Sequence, residues 1–208
     1  MSLSSIDRRV LVLCASILIV LGGGIAAAAY LAVSNETVYI EKSQIEAPVV
    51  ELAPTTGGVL RSLTVKAGDT VVPNTVVAQV GVELIKSTAG GLVLLTHGDV
   101  GDTIAAGETV VETIDPAQLR VVGDVQEDKG LSAIKVGQVA AFTVDAFGGK
   151  TFSGIVDEIA PVANSGDVVF SISDKREEQL FDVKVRFDTI SHSELKQGMS
   201  AKLWVYKR

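Results

Sequence analysis

Hydrophobic and polar positions follow two different rhythms along this chain. From Val10 to Val33 no residue is charged, and only Cys14, Ser16 and Tyr30 carry polar groups. As a helix, these 24 residues would reach roughly 36 Å, enough for a ~30 Å hydrocarbon core. Asp7, Arg8 and Arg9 precede the run, and Asn35 and Glu36 follow it. The positive-inside rule then predicts a cytoplasmic segment 1–9, a transmembrane helix over 10–33, and an extracytoplasmic remainder. A cleavable signal peptide is the competing reading, because Ala26 to Ala29 offer small residues to a peptidase. Signal cores usually run only ~7–15 residues, which favours an uncleaved anchor. Within the run, Gly22-Gly23-Gly24 either lets another helix approach or is a tolerated break.

Beyond Ser34 the period shortens to two. Phe181, Val183, Val185 and Phe187 alternate with Asp182, Lys184, Arg186 and Asp188. Ala201, Leu203 and Val205 alternate with Lys202, Trp204 and Tyr206. Each pattern predicts a strand with one buried and one wet face. Further strands are expected around 138–147, 151–160 and 167–173, with a charged loop over 173–179. The segment Gln126 to Val136 has acids at its start, Lys135 near its end and Gly137 just beyond, which predicts a short helix. Residues 116–208 thus read as a small β-barrel, whose closure removes exposed edges.

The segment between is a repeat. Ala53 to Leu60, Val65 to Val71 and Asn74 to Gln79 match Lys86 to Val93, Gly98 to Ile104 and Gly107 to Glu112 at a separation of 33 residues. Gly57/Gly90, Gly58/Gly91, Gly68/Gly101, Asp69/Asp102, Thr70/Thr103 and Val71/Ile104 all keep that spacing. Each half reads as strand, tight turn, strand: the glycines supply positive φ, and the branched residues after them favour extended backbone. Neither half has enough apolar surface to stand alone. Two halves facing one another can close a flattened barrel over residues 51–115, with half-motifs at 53–80 and 86–114. Residues 34–50 read as a membrane-proximal strand or linker.

This pair of halves resembles a biotinyl/lipoyl-type domain, and the order of features around it resembles the HlyD, or membrane fusion protein, family. The residues that carry the likeness begin with Ile45 to Pro54, Gly58-Val59 and Gly68-Asp69. They continue through Ile114-Asp115, Leu119, Val125 to Lys129, Ile134 to Gln138, Asp145-Ala146, Phe152 to Gly154, Ile159 to Pro161 and Leu195 to Ser200. The resemblance covers residues 38–208. It implies a mainly β periplasmic adaptor serving an inner-membrane exporter, an ABC permease foremost. It also implies homo-oligomerisation and placement of residues 34–50 and 190–208 near the membrane. In the family a long helical hairpin usually separates the lipoyl halves and reaches the outer-membrane channel. Here only four residues lie between Val80 and Ile85, so a partnership with such a channel is in doubt.

Composition and candidate chemistry narrow this picture. A net charge of −7 without any basic stripe argues against nucleic acid. Cys14 is the single cysteine, so no intramolecular disulfide can form. Leu13 stands where a lipoprotein site needs a small residue. A lipoyl or biotinyl carrier needs a modifiable lysine at the hairpin tip, but Gly81-Val82-Glu83-Leu84 contains none, and Lys86 falls where the second half-motif begins, on a strand rather than an exposed tip. His97 and His192 have no partners at metal or triad spacing, and both read as surface residues. Asp69, Asp99 and Asp102 read as turn acids that bond nearby backbone amides, since no loop has calcium-ligand density. Asn35-Glu36-Thr37 matches a glycosylation acceptor, a pattern too short to carry weight. No catalytic, cofactor-binding or metal residue is therefore expected. The expectation is a non-enzymatic, single-pass membrane adaptor. Its rivals are a biotin or lipoyl carrier subunit and a cell-envelope binding module without a transporter.

Overall fold

A computed structural model describes residues 37–128, 130–163 and 179–207. The transmembrane run 10–33, with Cys14 and Gly22 to Gly24, lies outside the described residues, as do the expected strand at 167–173 and most of the 173–179 loop. Among the described residues no helix is long and apolar enough to cross a membrane. They form fourteen strands and three short 3-10 turns.

Six strands close a barrel. β1 (Thr37–Glu46), β10 (Arg120–Gln126), β13 (Leu180–Arg186), β12 (Thr151–Ile159), β11 (Val139–Val144) and β14 (Ser200–Tyr206) follow one another around it in that order, and β14 returns to β1. All six pairings are antiparallel. The period-two alternation explains the closure, because each strand turns one row of branched or aromatic residues inward. Ile45, Val121, Phe142, Val144, Val156, Val183, Val185 and Leu203 are almost fully excluded from solvent. The barrel is not built by the C-terminal segment alone. β1 comes from the stretch preceding the repeat and makes two of the six seams.

The repeat supplies the other eight strands, in two sheets. β2 (Val49–Leu52), β9 (Val111–Ile114), β7 (Gly91–Thr96) and β4 (Thr70–Val71) form one, in that order. β6 (Glu83–Lys86), β5 (Val76–Val80), β3 (Gly58–Leu63) and β8 (Thr103–Ile104) form the other. The 33-residue offset carries each sheet onto its partner, register included. Leu60 opposite Val80 becomes Val93 opposite Thr113, and Gly58 opposite Ile104 becomes Gly91 opposite Val71. The clasps between halves are mirrored too. The Gly68 amide donates to the Val93 carbonyl and that of Gly101 to Leu60, both at 2.8 Å. Asn74 and Gly107, also 33 apart, both adopt left-handed backbone, with φ of 67° and 81°. Leu60/Val93 and Val77/Val110 fill the middle of the core from both halves. Burying each such side chain stabilises the fold by about 1.5–3 kcal/mol relative to exposure.

One expected element is absent. Residues 126–136 do not form an α-helix: Gln126 is held in the β10–β13 ladder opposite Leu180, and Gly130 takes φ 107°. What remains is too short to nucleate an α-helix and keeps one 3-10 turn, Leu131–Ala133. The strand expected over 138–147 ends at Val144, followed by a 3-10 turn over Asp145–Phe147 and left-handed Gly148.

Candidate functional site

The tip of the β5–β6 hairpin is where a carrier domain would present its lysine and where an adaptor would insert its helical hairpin. Here Val80 pairs directly with Glu83, leaving Gly81 and Val82 as a two-residue turn. Gly81 supplies the positive φ, 59°, that such a turn needs. Val82 is 89% exposed. Lys86 lies at the far end of β6, paired with Val76, well back from the tip.

Glu83 locks this tip. Its carboxylate accepts from the Thr55 amide at 2.9 Å and the Thr56 amide at 3.0 Å, and from the hydroxyls of Thr55 and Thr56 at 3.0 and 2.9 Å. Hydrogen bonds to the ionised form favour it, the Thr55 and Thr56 amides foremost, and hold the Glu83 pKa down at about 2. Because the folded value lies below the ordinary 4.5, the clasp is complete above that pH and is lost as pH falls through about 2. Glu83→Gln is expected to speed exchange of the Thr55 and Thr56 amides at neutral pH and to remove its acid dependence. Amide hydrogen exchange followed by NMR reads both. Sequence reading placed Glu83 in the joint but gave it no role. The signal was a break in the repeat: Thr55-Thr56 stand where the second half has Thr88-Ala89, and Glu83 stands where the first half has Val50.

The remaining polar candidates have local partners. Asp69 Oδ2 accepts from the Lys66 amide and Asp102 Oδ2 from the Asp99 amide, both at 2.8 Å, so the two acids do the same work in mirrored turns. His97 Nε2 lies 2.8 Å from Glu112 Oε1. The His192 ring meets Phe152 edge-on at 5.1 Å, with Nδ1 3.6 Å from Glu194. Among the described residues, no three His, Cys, Asp or Glu side chains converge as metal ligands. On the barrel's outer wall Asp124 faces Asp182 directly across β10 and β13. Partial burial first, then Asp182, raises the Asp124 carboxyl, against the pull of Lys42. Glu46 beside them is raised by burial, then by Asp182 and Asp124.

These features place the chain by architecture rather than by catalytic geometry. A sandwich of two repeated halves, entered from β1 and left through β10 of a closed six-stranded barrel, is the fold of the membrane fusion, or periplasmic adaptor, proteins. The membrane fusion protein Spr0693 from Streptococcus pneumoniae R6 superposes with a TM-score of 0.59 at 14% identity, over 83% of this chain and 99% of that one. The periplasmic adaptor protein EmrA superposes with a TM-score of 0.55 at 11% identity, again over 83% and 99%. By sequence, a putative efflux system component of Bacillus subtilis (strain 168), YhbJ, is 33% identical over 102 residues, covering 49% of this chain. The match spans 44% of that relative's length. No protein-family model matches the sequence.

Proposed function

We propose that this chain is the membrane-anchored, extracytoplasmic adaptor subunit of a bacterial export system, ABC-type, acting by docking on its transporter without bond-making chemistry. The single observation that supports this most is the pairing of a repeated sandwich with a closed barrel, an architecture shared with adaptor proteins at low sequence identity, with a sandwich tip here that carries no lysine. Residues 10–33 anchor it, with residues 1–9 in the cytoplasm and the domains outside. Several copies assemble around the permease. The barrel and sandwich bind one transporter state better than another, and that difference in binding free energy is the coupling. The two-residue turn at Gly81-Val82 leaves no helical hairpin to grip an outer-membrane channel, so the adaptor works at a single membrane or through a different bridging partner.

Affinity purification of the full chain from its native membranes tests the proposal. Co-purification of a permease with its ATPase is the expected result, with an intact mass equal to that of the unmodified chain. Recovery of the chain free of any transporter subunit would sink the adaptor role. An added biotinyl or lipoyl mass would move it to the carrier class.

A further inference from the structure

The outer wall of the barrel carries charges around most of its girth, Glu41, Lys202 and Arg186 among them, but is interrupted by an uncharged band near one end. Around β10, β13 and the end of β12 it presents Arg120, Asp124, Lys184, Asp157 and Glu158, several of them ion-paired. Around β1, β14, β11 and the middle of β12 it presents no charge at all in two successive registers. In the first, Tyr39 faces Trp204, Trp204 faces Ala141 and Ala141 faces Ser153. In the second, Tyr206 faces Thr37, and the same register carries it on to Val139, which faces Ile155. Tyr39, Tyr206, Val139 and Ile155 are each between 43% and 54% exposed. The rings of Tyr39 and Trp204 pack together at 5.3 Å. Isolated exposed apolar residues are ordinary, but a contiguous band with aromatic members marks a surface that meets something.

Topology says which end of the barrel carries this band. β1 begins at Thr37 and leaves at Glu46 toward the sandwich, so Thr37, Tyr206 and Val139 lie at the opposite end. Lys135 and Lys207 line the same depression as Val136 there. Only three residues, Ser34 to Glu36, separate Thr37 from the uncharged run ending at Val33. Fully extended, the chain from Val33 to Thr37 covers at most ~14 Å. The polar interfacial layer of a bilayer is about 5–8 Å deep on each side. A run buried in the bilayer therefore holds the start of β1, and the aromatic band beside it, within reach of that layer.

We infer that the Tyr39–Trp204–Tyr206 band, continued by Val139 and Ile155, is a bilayer-contact surface that lies in the outer-leaflet interface. Tyrosine and tryptophan favour this depth because each has an apolar body and a hydrogen-bonding end, and flanking lysines suit lipid phosphates. A barrel held at its side as well as by its tether has a fixed tilt, so the sandwich is presented at a defined height and angle. The inference rests on the anchored reading given above.

Trp204 is the only tryptophan in the chain, which makes the test direct. The full chain is reconstituted into phosphatidylcholine vesicles, and vesicle flotation reads anchoring independently. Trp204 emission is then compared in lipids brominated near the headgroup end of the acyl chains, near their methyl end, or not at all. The expected result is a floating protein whose emission is quenched most by the shallow label, and a clear loss of that quenching in Val139→Asp. A floating protein whose Trp204 is quenched by neither label overturns the inference while leaving the anchor intact. The same follows if Trp204 is shielded from acrylamide yet unquenched by either label, since a second copy then covers the band. Failure to float overturns both readings together.

Discussion

Replacing Phe142 by alanine is expected to lower the stability of the barrel by about 3–5 kcal/mol. Phe142 is completely buried at the middle of β11, paired with Leu203 on one side and Phe152 on the other. Its ring stacks on Phe152 at 5.3 Å and meets Phe187 at 5.5 Å. Truncation removes most of a large apolar side chain and two ring contacts. It leaves a void that a closed barrel is poorly able to collapse into, because six hydrogen-bonded seams fix its girth. Trp204 sits on the adjacent strand β14, next to Leu203, so its fluorescence in urea titrations of the full chain follows the unfolding of this domain. Phe142→Leu, which keeps more of the volume, should cost markedly less than the alanine variant. An alanine variant whose midpoint matches the parent protein would show that the aromatic cluster is not what holds the barrel closed.

How much of this was legible beforehand depended on whether a signal was local or long-range. The inward rows Val183–Val185 and Ala201–Leu203–Val205 were readable because a half-buried strand imposes period two on its own sequence. The 33-residue repeat was readable because mirrored turns need the same glycines, and Gly68 and Gly101 do take positive φ. The role of β1 in the barrel was not readable, since its partners Val121 and Leu203 are far away in sequence and pairing choice leaves no local mark. The misread helix at 126–136 has a different cause. Charges and a terminal glycine imitate helix-end signals, but the β10 ladder had already claimed Gln126, and left-handed Gly130 interrupts the rest. The uncharged band on the barrel wall was also hidden, because it assembles from two outward residues on each of four strands, and each pair looks unremarkable in its own alternation until the strands are joined.

The largest effect expected in the sandwich comes from the repeated Gly-Gly pair. Gly91→Ala is expected to destabilise this domain by about 1–3 kcal/mol, and Gly58→Ala, its symmetry mate, by less. A methyl group on Gly91 would collide with the carbonyl oxygen of Ile114, the last residue of β9, and a backbone oxygen in a ladder cannot swing aside. The mirrored position faces Gly81, the residue 33 before Ile114, where a methyl on Gly58 would lie 3.1 Å from the Gly81 Cα and nitrogen. That contact is tight but can relax by a few tenths of an ångström, because Gly81 belongs to a turn. At the Gly91 site the neighbouring strand end leads through Asp115 and the 3-10 turn Pro116–Gln118 into β10, so displacement there strains the junction between the two domains as well. Hydrogen exchange across 49–114 is the suitable readout, with protection around β7 and β9 expected to fall much further in Gly91→Ala than protection around β3 and β5 falls in Gly58→Ala. Equal losses in the two variants would mean that the shared glycines answer to turn conformation in both halves, and that the close approach of β9 to β7 is not what selects glycine at position 91.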